Sequence, residues 1–294
     1  MLATSSMMAL GQPMPAMHML PGDPVYVRPN TPGLARNTVY SASGVTLRSW
    51  LDANSCCEGQ LSSDIWGYTD SSTGREYALI VYHTGLAVVD VTSSSPTVVG
   101  RVASPSSFWK DVKTYGQYAY LVTEADSAPD IVVVDLSRVS SGVVSVANTI
   151  RLTAGTASTH NVAIDVGSGY LYRLGGGTNP MRVYSLAQPT SPVYVASIGD
   201  GYVHDAEIIT FSSGPYAGRQ IAFACKAEGA HGLQIWDVTV KSSPSLLSFV
   251  TWPQPVYSHN VWVDAPSMTA YTSDELGDRQ GRGVSVHWGT LDDH

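Results

Sequence analysis

A hydrophobic strand pattern ending in a short polar residue returns along this chain every forty-five to fifty-two residues. Its copies are LAVVDVT (86–92), IVVVDLS (131–137), MRVYSLA (181–187), LQIWDVT (233–239) and VSVHWGT (284–290). Around each copy, other strand-length runs of β-branched and aromatic residues are broken by Gly, Ser, Pro and Asp, the residues of turns. Four short strands cannot bury their own faces, so such units must stack on one another. The pattern predicts an all-β fold, a β-propeller of five four-stranded blades: 64–102, 108–150, 159–198, 203–251 and 258–290. The first four copies are followed by a fourth strand; the fifth is not. GVTLRSWL (44–51) resembles SLLSFVTWP of the fourth unit. It is expected to complete blade five, closing the ring and removing two open sheet edges. No segment has the period of an amphipathic helix. Residues 1–43 are read as a leader or extended segment ahead of a propeller domain at 44–294.

Composition agrees: Gly (27) and Tyr (16) are plentiful and charged residues make up only 14%. With four lysines and a net charge of −8, the chain offers no broad basic surface to nucleic acid. No apolar run approaches the ~20 residues that span a bilayer, so no transmembrane segment is expected. Six of the eight methionines fall in the first twenty residues. That stretch lacks the basic start and apolar centre of a secretory signal. MPAMHM, with His18, has ligands that suit Cu(I); a poorly ordered leader is the plainer reading. Cys56, Cys57 and Cys225 allow one internal disulfide, from Cys225 to either of the others, or three buried thiols.

The VVD strands, taken with DIWGYTDSSTGREYALIVYHTGLAVVDVTSSSPTVVG, FWKDVKTYGQYAYLVTEA, DGYVHDAEII and YTSDELGD, resemble the LVIVD-repeat proteins that often carry the label choice-of-anchor B. The resemblance covers roughly residues 44–290. It implies a β-propeller in an extracellular, periplasmic or cell-surface setting, and it brings no biochemical activity with it.

Three strand heads share a further motif: STHNVAID from 158, YVHDAEII from 202 and YSHNVWVD from 257. In a propeller the first strand of each blade lines the axis, so a residue repeated along the chain becomes a ring in space. The aligned heads give one column of Ser63, Lys110, His160, His204 and His259. The next is Asp64, Asp111, Asn161, Asp205 and Asn260. The ends of second strands add His83, Glu124, Glu228, Asp274 and Glu275 to the same mouth. Carboxylates crowded without a counter-charge raise one another's pKa values, and a cation relieves that strain. Imidazole with carboxylate suits zinc, manganese or iron(II), and carboxylate with carboxamide oxygen suits calcium. The expected metal ligands are therefore His160, His204, His259 and Asp205. Asp64, Asp111, Lys110, Trp109, His83, Asn161, Asn260 and Tyr202 are expected to contact a ligand. The competing reading is structural. A repeat inherits residues from its ancestor, and His, Asp and Asn at a strand head also satisfy turn groups and tie blades together. Lys110 could likewise pair with Asp111 or Asp64.

RLGGGTNP (173–180) follows a strand but opens no helix, and reads as a loop that permits close approach. Asp90, Asp135 and Asp237, at the ends of VVD strands, are expected to cap turns. Two function classes follow. One is a surface binding module for a small molecule, a protein or a glycan, with a divalent ion or small ligand at the axis. The other is a metal-dependent hydrolase or lyase in which Glu124, Glu228 or Glu275 acts as general base.

Overall fold

A computed structural model describes residues 48–125, 129, 131–151, 158–176, 180–253 and 255–275, and the backbone of 284–287. Blade one comprises β1 (Ser62–Thr69), β2 (Glu76–Tyr82), β3 (Gly85–Asp90) and β4 (Thr97–Ala103). Blade two holds β5 (Lys110–Tyr115), β6 (Tyr118–Thr123), β7 (Ile131–Asp135) and β8 (Ser145–Ile150). Blade three holds β9 (Asn161–Asp165), β10 (Tyr170–Leu174), β11 (Met181–Ser185) and β12 (Val193–Ile198). Blade four holds β13 (Val203–Thr210), β14 (Gln220–Lys226), β15 (Gly232–Asp237) and β16 (Ser245–Val250), and blade five β17 (Ser258–Asp264), β18 (Thr269–Asp274) and β19 (Val284–His287). Each sheet is an antiparallel meander in chain order. The fold is a β-propeller, as the repeat implied.

Burial follows position in the blade. Second and third strands are apolar on both faces and buried, as in IVVVD of β7, whereas fourth strands are largely exposed, as in β8 and β12. Both faces of a blade centre must be apolar because each packs on a neighbour. Leu79, Val81, Leu86 and Val88 of blade one meet Val112, Leu121 and Val134 of blade two. Equivalent apolar layers join blades two and three, three and four, and four and five. Each fully buried aliphatic side chain contributes about 1.5–3 kcal/mol, so stacking rather than any single sheet holds the wheel together.

The VVD aspartates cap turns as expected. Asp90, Asp135 and Asp237 accept hydrogen bonds from the backbone N–H groups of Thr92, Ser137 and Thr239, at 2.9, 2.8 and 2.9 Å. Of the closing strand expected at 44–51, residues 44–47 lie outside the described residues. Arg48–Leu51 are not in a strand. Arg48 donates to the carbonyl of Thr92 in blade one at 2.8 Å. Leu51 then leads into a short helix that the sequence pattern did not reveal, α1 (Ala53–Cys57). Asp52 caps it by accepting the Ser55 N–H at 2.9 Å. The helix lays Cys56 and Cys57 on Ala87 and Val89. Cys225 is buried elsewhere, between blades four and five. All three are free thiols, so no Cys225 disulfide forms. No helix among the described residues is long and apolar enough to cross a membrane.

Candidate functional site

The channel wall is made by inner strands β1, β5, β9, β13 and β17, each beside the next. His160 precedes β9, His204 lies in β13 and His259 in β17, so three blades deliver three imidazoles to one place. The ring centroids of His160 and His204 are 4.3 Å apart, and those of His204 and His259 4.2 Å. His204 is the central ring and is 3% exposed. Burial, and then the neighbouring rings, hold its pKa down at about 2, so it is neutral.

Hydrogen bonds fix the tautomers. His204 Nδ1 lies 2.9 Å from the His259 carbonyl oxygen. A carbonyl can only accept, so Nδ1 carries the proton and Nε2 keeps its lone pair. His160 Nδ1 lies 2.6 Å from Glu124 Oε1, the same arrangement with a carboxylate. His259 Nε2 stands 3.7 Å from Glu275 Oε2. Tyr202 and Tyr257 flank the rings, with Tyr257 edge-on to His204 at 5.5 Å. The two hydroxyls are hydrogen-bonded, and burial raises both pKa values, so both stay protonated. Glu228, exposed, adds negative charge that raises both further.

Backbone geometry brings the rings so close. Gly175 and Gly176, in the glycine-rich loop, have φ of +64° and +84°. A Cβ on Gly175 would come within 2.5 Å of the His160 Cβ, and one on Gly176 within 1.9 Å of the Ser158 carbonyl oxygen. The loop therefore allows backbone to approach backbone beside His160. Below it, the buried Arg173 donates to the Thr159 hydroxyl at 2.8 Å, bracing the residue before His160.

The second column takes a different place. Of each His–Asp/Asn pair only the Asp or Asn borders the channel cavity, and the imidazole does not. Asp64, Asp111, Asn161, Asp205 and Asn260 border this cavity of about 650 Å³. Most of them tie blade to blade. Asp111 Oδ2 accepts the Val162 N–H of blade three at 2.9 Å. Asn161 donates to the His204 carbonyl of blade four at 3.0 Å. Asp205 Oδ2 accepts from Asn260 Nδ2 at 3.0 Å and from the Val261 N–H at 3.4 Å, both in blade five. Burial raises the Asp205 pKa, with Lys113 opposing, and pushes Asp64 up to about 7, helped by Asp111 beside it.

Other expected residues also stand apart. Lys110 turns away from Asp111 and Asp64 and donates to the Ser104 hydroxyl and, at 2.5 Å, to the Pro105 carbonyl. Lys113 takes the part considered for it, 2.7 Å from Asp111 and 3.6 Å from Asp64, with its ammonium over the Trp66 ring. His83 stacks on Phe108 at 4.5 Å. Asp274 is buried, accepting the N–H groups of Val256 and Tyr257 at 2.7 and 3.0 Å. Trp109 is half-exposed and its carbonyl accepts the Glu124 N–H at 3.1 Å, which puts it beside the His160 pair. Sequence reasoning missed Tyr257 and Lys113. Tyr257 was legible, because Tyr-x-His occurs at both 202–204 and 257–259. Among the described residues, no three His, Cys, Asp or Glu side chains already stand in a metal-holding arrangement.

Comparison with known proteins supports the fold. The LVIVD repeat matches at residues 75–104 and 109–146, in blades one and two. No curated protein matches the chain. A functionally unknown protein from Desulfotomaculum acetoxidans is similar in structure, with a TM-score of 0.53 at 16% identity, over 73% of this chain and 63% of that one. Hydrazine synthase from Kuenenia stuttgartiensis gives 0.52 at 16% identity, over 72% of this chain and 55% of that one. The β-propeller domain of Myceliophteria thermophila Cps50 (Swd1) gives 0.50 at 10% identity, over 73% and 67%. The chain thus spans less than two thirds of the first two proteins, and at these identities the likeness is one of fold alone.

Proposed function

We propose that this β-propeller, which carries LVIVD repeats, is a binding module of the extracellular, periplasmic or cell-surface kind, with its ligand site at the channel mouth. Within that reading, His160, His204 and His259 take a divalent cation, and Asp205 lies outside the ligand set. The observation that carries the proposal is the tautomer arrangement. Glu124 holds Nδ1 of His160 and a backbone carbonyl holds Nδ1 of the neutral His204, so Nε2 is the nitrogen each ring has left for a metal. Such outer hydrogen bonds accompany metal-bound imidazoles and raise their basicity. Zinc, manganese and iron(II) suit nitrogen with carboxylate, and calcium would draw instead on the oxygens of Glu124 and Glu275. The wheel supplies a rigid support for these groups, which function requires whatever the partner on the outer surface, protein or glycan.

Elemental analysis of protein dialysed against zinc, manganese, iron(II) or calcium tests this. One metal per chain, lost in His204→Ala, supports it; no metal retained under any condition overturns it. The Glu124–His160 pair also favours a second reading, a metal-dependent hydrolase or lyase with Glu124 as general base. Turnover in an esterase, lactonase or glycosidase panel that vanishes in Glu124→Gln would establish that reading.

A further inference from the structure

The channel cavity is bordered by successive layers of residues from the inner strands. The layer just described repeats around the ring as Asp or Asn, and its members make ties between blades, Asp205 through Oδ2. Two residues further on, the repeat breaks. The same place is filled by Trp66, Lys113, Ala163, Glu207 and Trp262, all bordering the 650 Å³ cavity. Shared architecture explains a residue that recurs in every blade; it does not explain four residue types at five equivalent places. A cavity of this size falls in the range of small-molecule sites, roughly 300–1,000 Å³.

Charge and polarity divide this layer in two. On the side of blades one and two, Lys113 is already matched by Asp111 and Asp64 and covers the Trp66 ring. On the side of blades four and five, Glu207 and Asp205 face the cavity, and Lys113 is the only Lys or Arg among the residues that border it. Glu207 Oε2 accepts the Val263 N–H at 2.5 Å, and Oε1 has no hydrogen bond among the described residues. Beside these carboxyls stand two aromatic side chains with much of their surface open, Trp262 at 62% and Tyr271 at 52% exposed. Ala163, between Lys113 and Glu207 around the ring, leaves room where the other blades place larger side chains.

We propose that this lower layer of the channel binds a small organic cation, an ammonium group carried on a flat apolar body. The ammonium sits against Glu207 and Asp205, and the apolar body lies on Trp262 and Tyr271, which also attract the cation through their ring faces. An anion is disfavoured, because the one lysine is occupied and the remaining charges are negative. A neutral ligand of the same shape keeps the aromatic contact and forgoes the ion pair. The site lies one layer below the Asp and Asn ring and does not rest on the reading of the imidazoles.

Tryptophan fluorescence at pH 8 and low salt tests this with three probes of one shape: phenethylamine, 2-phenylethanol and phenylacetate. Saturable binding of the amine is expected, with the alcohol about tenfold weaker or more and the carboxylate weaker still. Glu207→Gln should lower amine affinity about tenfold and leave the alcohol unchanged, while Trp262→Ala should weaken both. Amine binding should be the same in chelator-treated protein, which separates this site from a cation at the mouth. Equal affinity for amine and alcohol, an unaltered Glu207→Gln, or no saturation by about 10 mM amine each overturns the proposal. Circular dichroism melts of the variants ensure that a lost signal is not lost folding.

Discussion

Replacing Asp111 separates a structural column of strand-head residues from a ligand-binding one. Its carboxylate is 1% exposed. It accepts the Val162 N–H of the next blade at 2.9 Å, its neighbour Val112 N–H at 2.6 Å, and the Lys113 ammonium at 2.7 Å. Asp111→Ala leaves a buried N–H without its acceptor, which costs about 1–3 kcal/mol. It also strands a largely buried ammonium, for which breaking a pair costs about 3–5 kcal/mol. Asp64 remains 3.6 Å from that ammonium and offsets part of the loss, so the sum should be about 3–5 kcal/mol. With a urea m-value near 3 kcal/mol/M, the midpoint falls by about 1–1.7 M. Asp111→Asn keeps an acceptor for Val162 and should cost about half as much. Adding Lys113→Met to Asp111→Ala removes the stranded charge and should restore part of the midpoint. If Asp111 served a ligand alone, its removal would relieve crowded negative charge and leave the midpoint unchanged or higher. A shift below about 0.3 M would refute the structural account of the whole column.

Three further outcomes follow from the same geometry. His204 has a folded pKa far below its unfolded value near 6.5, so its contribution to stability is complete above pH 6.5 and is lost as pH falls toward about 2. Glu207, raised to about 7 by burial, acts with the opposite sign, regaining stability as pH falls from 7 toward the unfolded value near 4.5. Urea titrations of wild type minus His204→Gln should therefore isolate a slope of up to about 1.4 kcal/mol per pH unit between pH 6.5 and 4.5; parallel curves would contradict a buried neutral imidazole. Gly176→Ala should lose more than about 2 kcal/mol in calorimetry, because its Cβ would meet the Ser158 carbonyl and φ is +84°. Native protein at pH 8 should resist iodoacetamide, since burial pushes the Cys57 and Cys225 thiols up to about 12, whereas urea-unfolded protein should gain three labels by mass.

The wheel was legible because the same apolar period had to recur wherever a blade packs on a blade. Asp90, Asp135 and Asp237 could be read as turn caps from their place after a β-branched run. The meeting of His160, His204 and His259 was legible for the same reason, since equal positions in stacked repeats become neighbours. What the sequence concealed was direction. His and the Asp or Asn after it look like one motif, yet only the Asp or Asn borders the channel cavity. Two registers shift near β13 and β17, between Val203 and Ala206 and between Ser258 and Val261, and no spacing rule marks those bulges. Lys110 stands in the aligned column, but the charge that meets Asp111 and Asp64 is three residues on, at Lys113, outside the repeat's polar positions. The helix at 53–57 left a local signal, Asp52 before ANSCC and Gly59 after it, too short to register against a strand-dominated background.

Three ties from an inner-strand side chain to the backbone of a neighbouring blade run one way. Asp111 reaches to Val162, Asn161 to His204 and Asp205 to Val261, so blades two, three and four each hold the one that follows in the chain. A nascent chain leaves the ribosome in that same order. Blades three, four and five would thus each meet a finished neighbour with its hydrogen-bonding group already presented. For these blades, docking during synthesis follows the order of the chain.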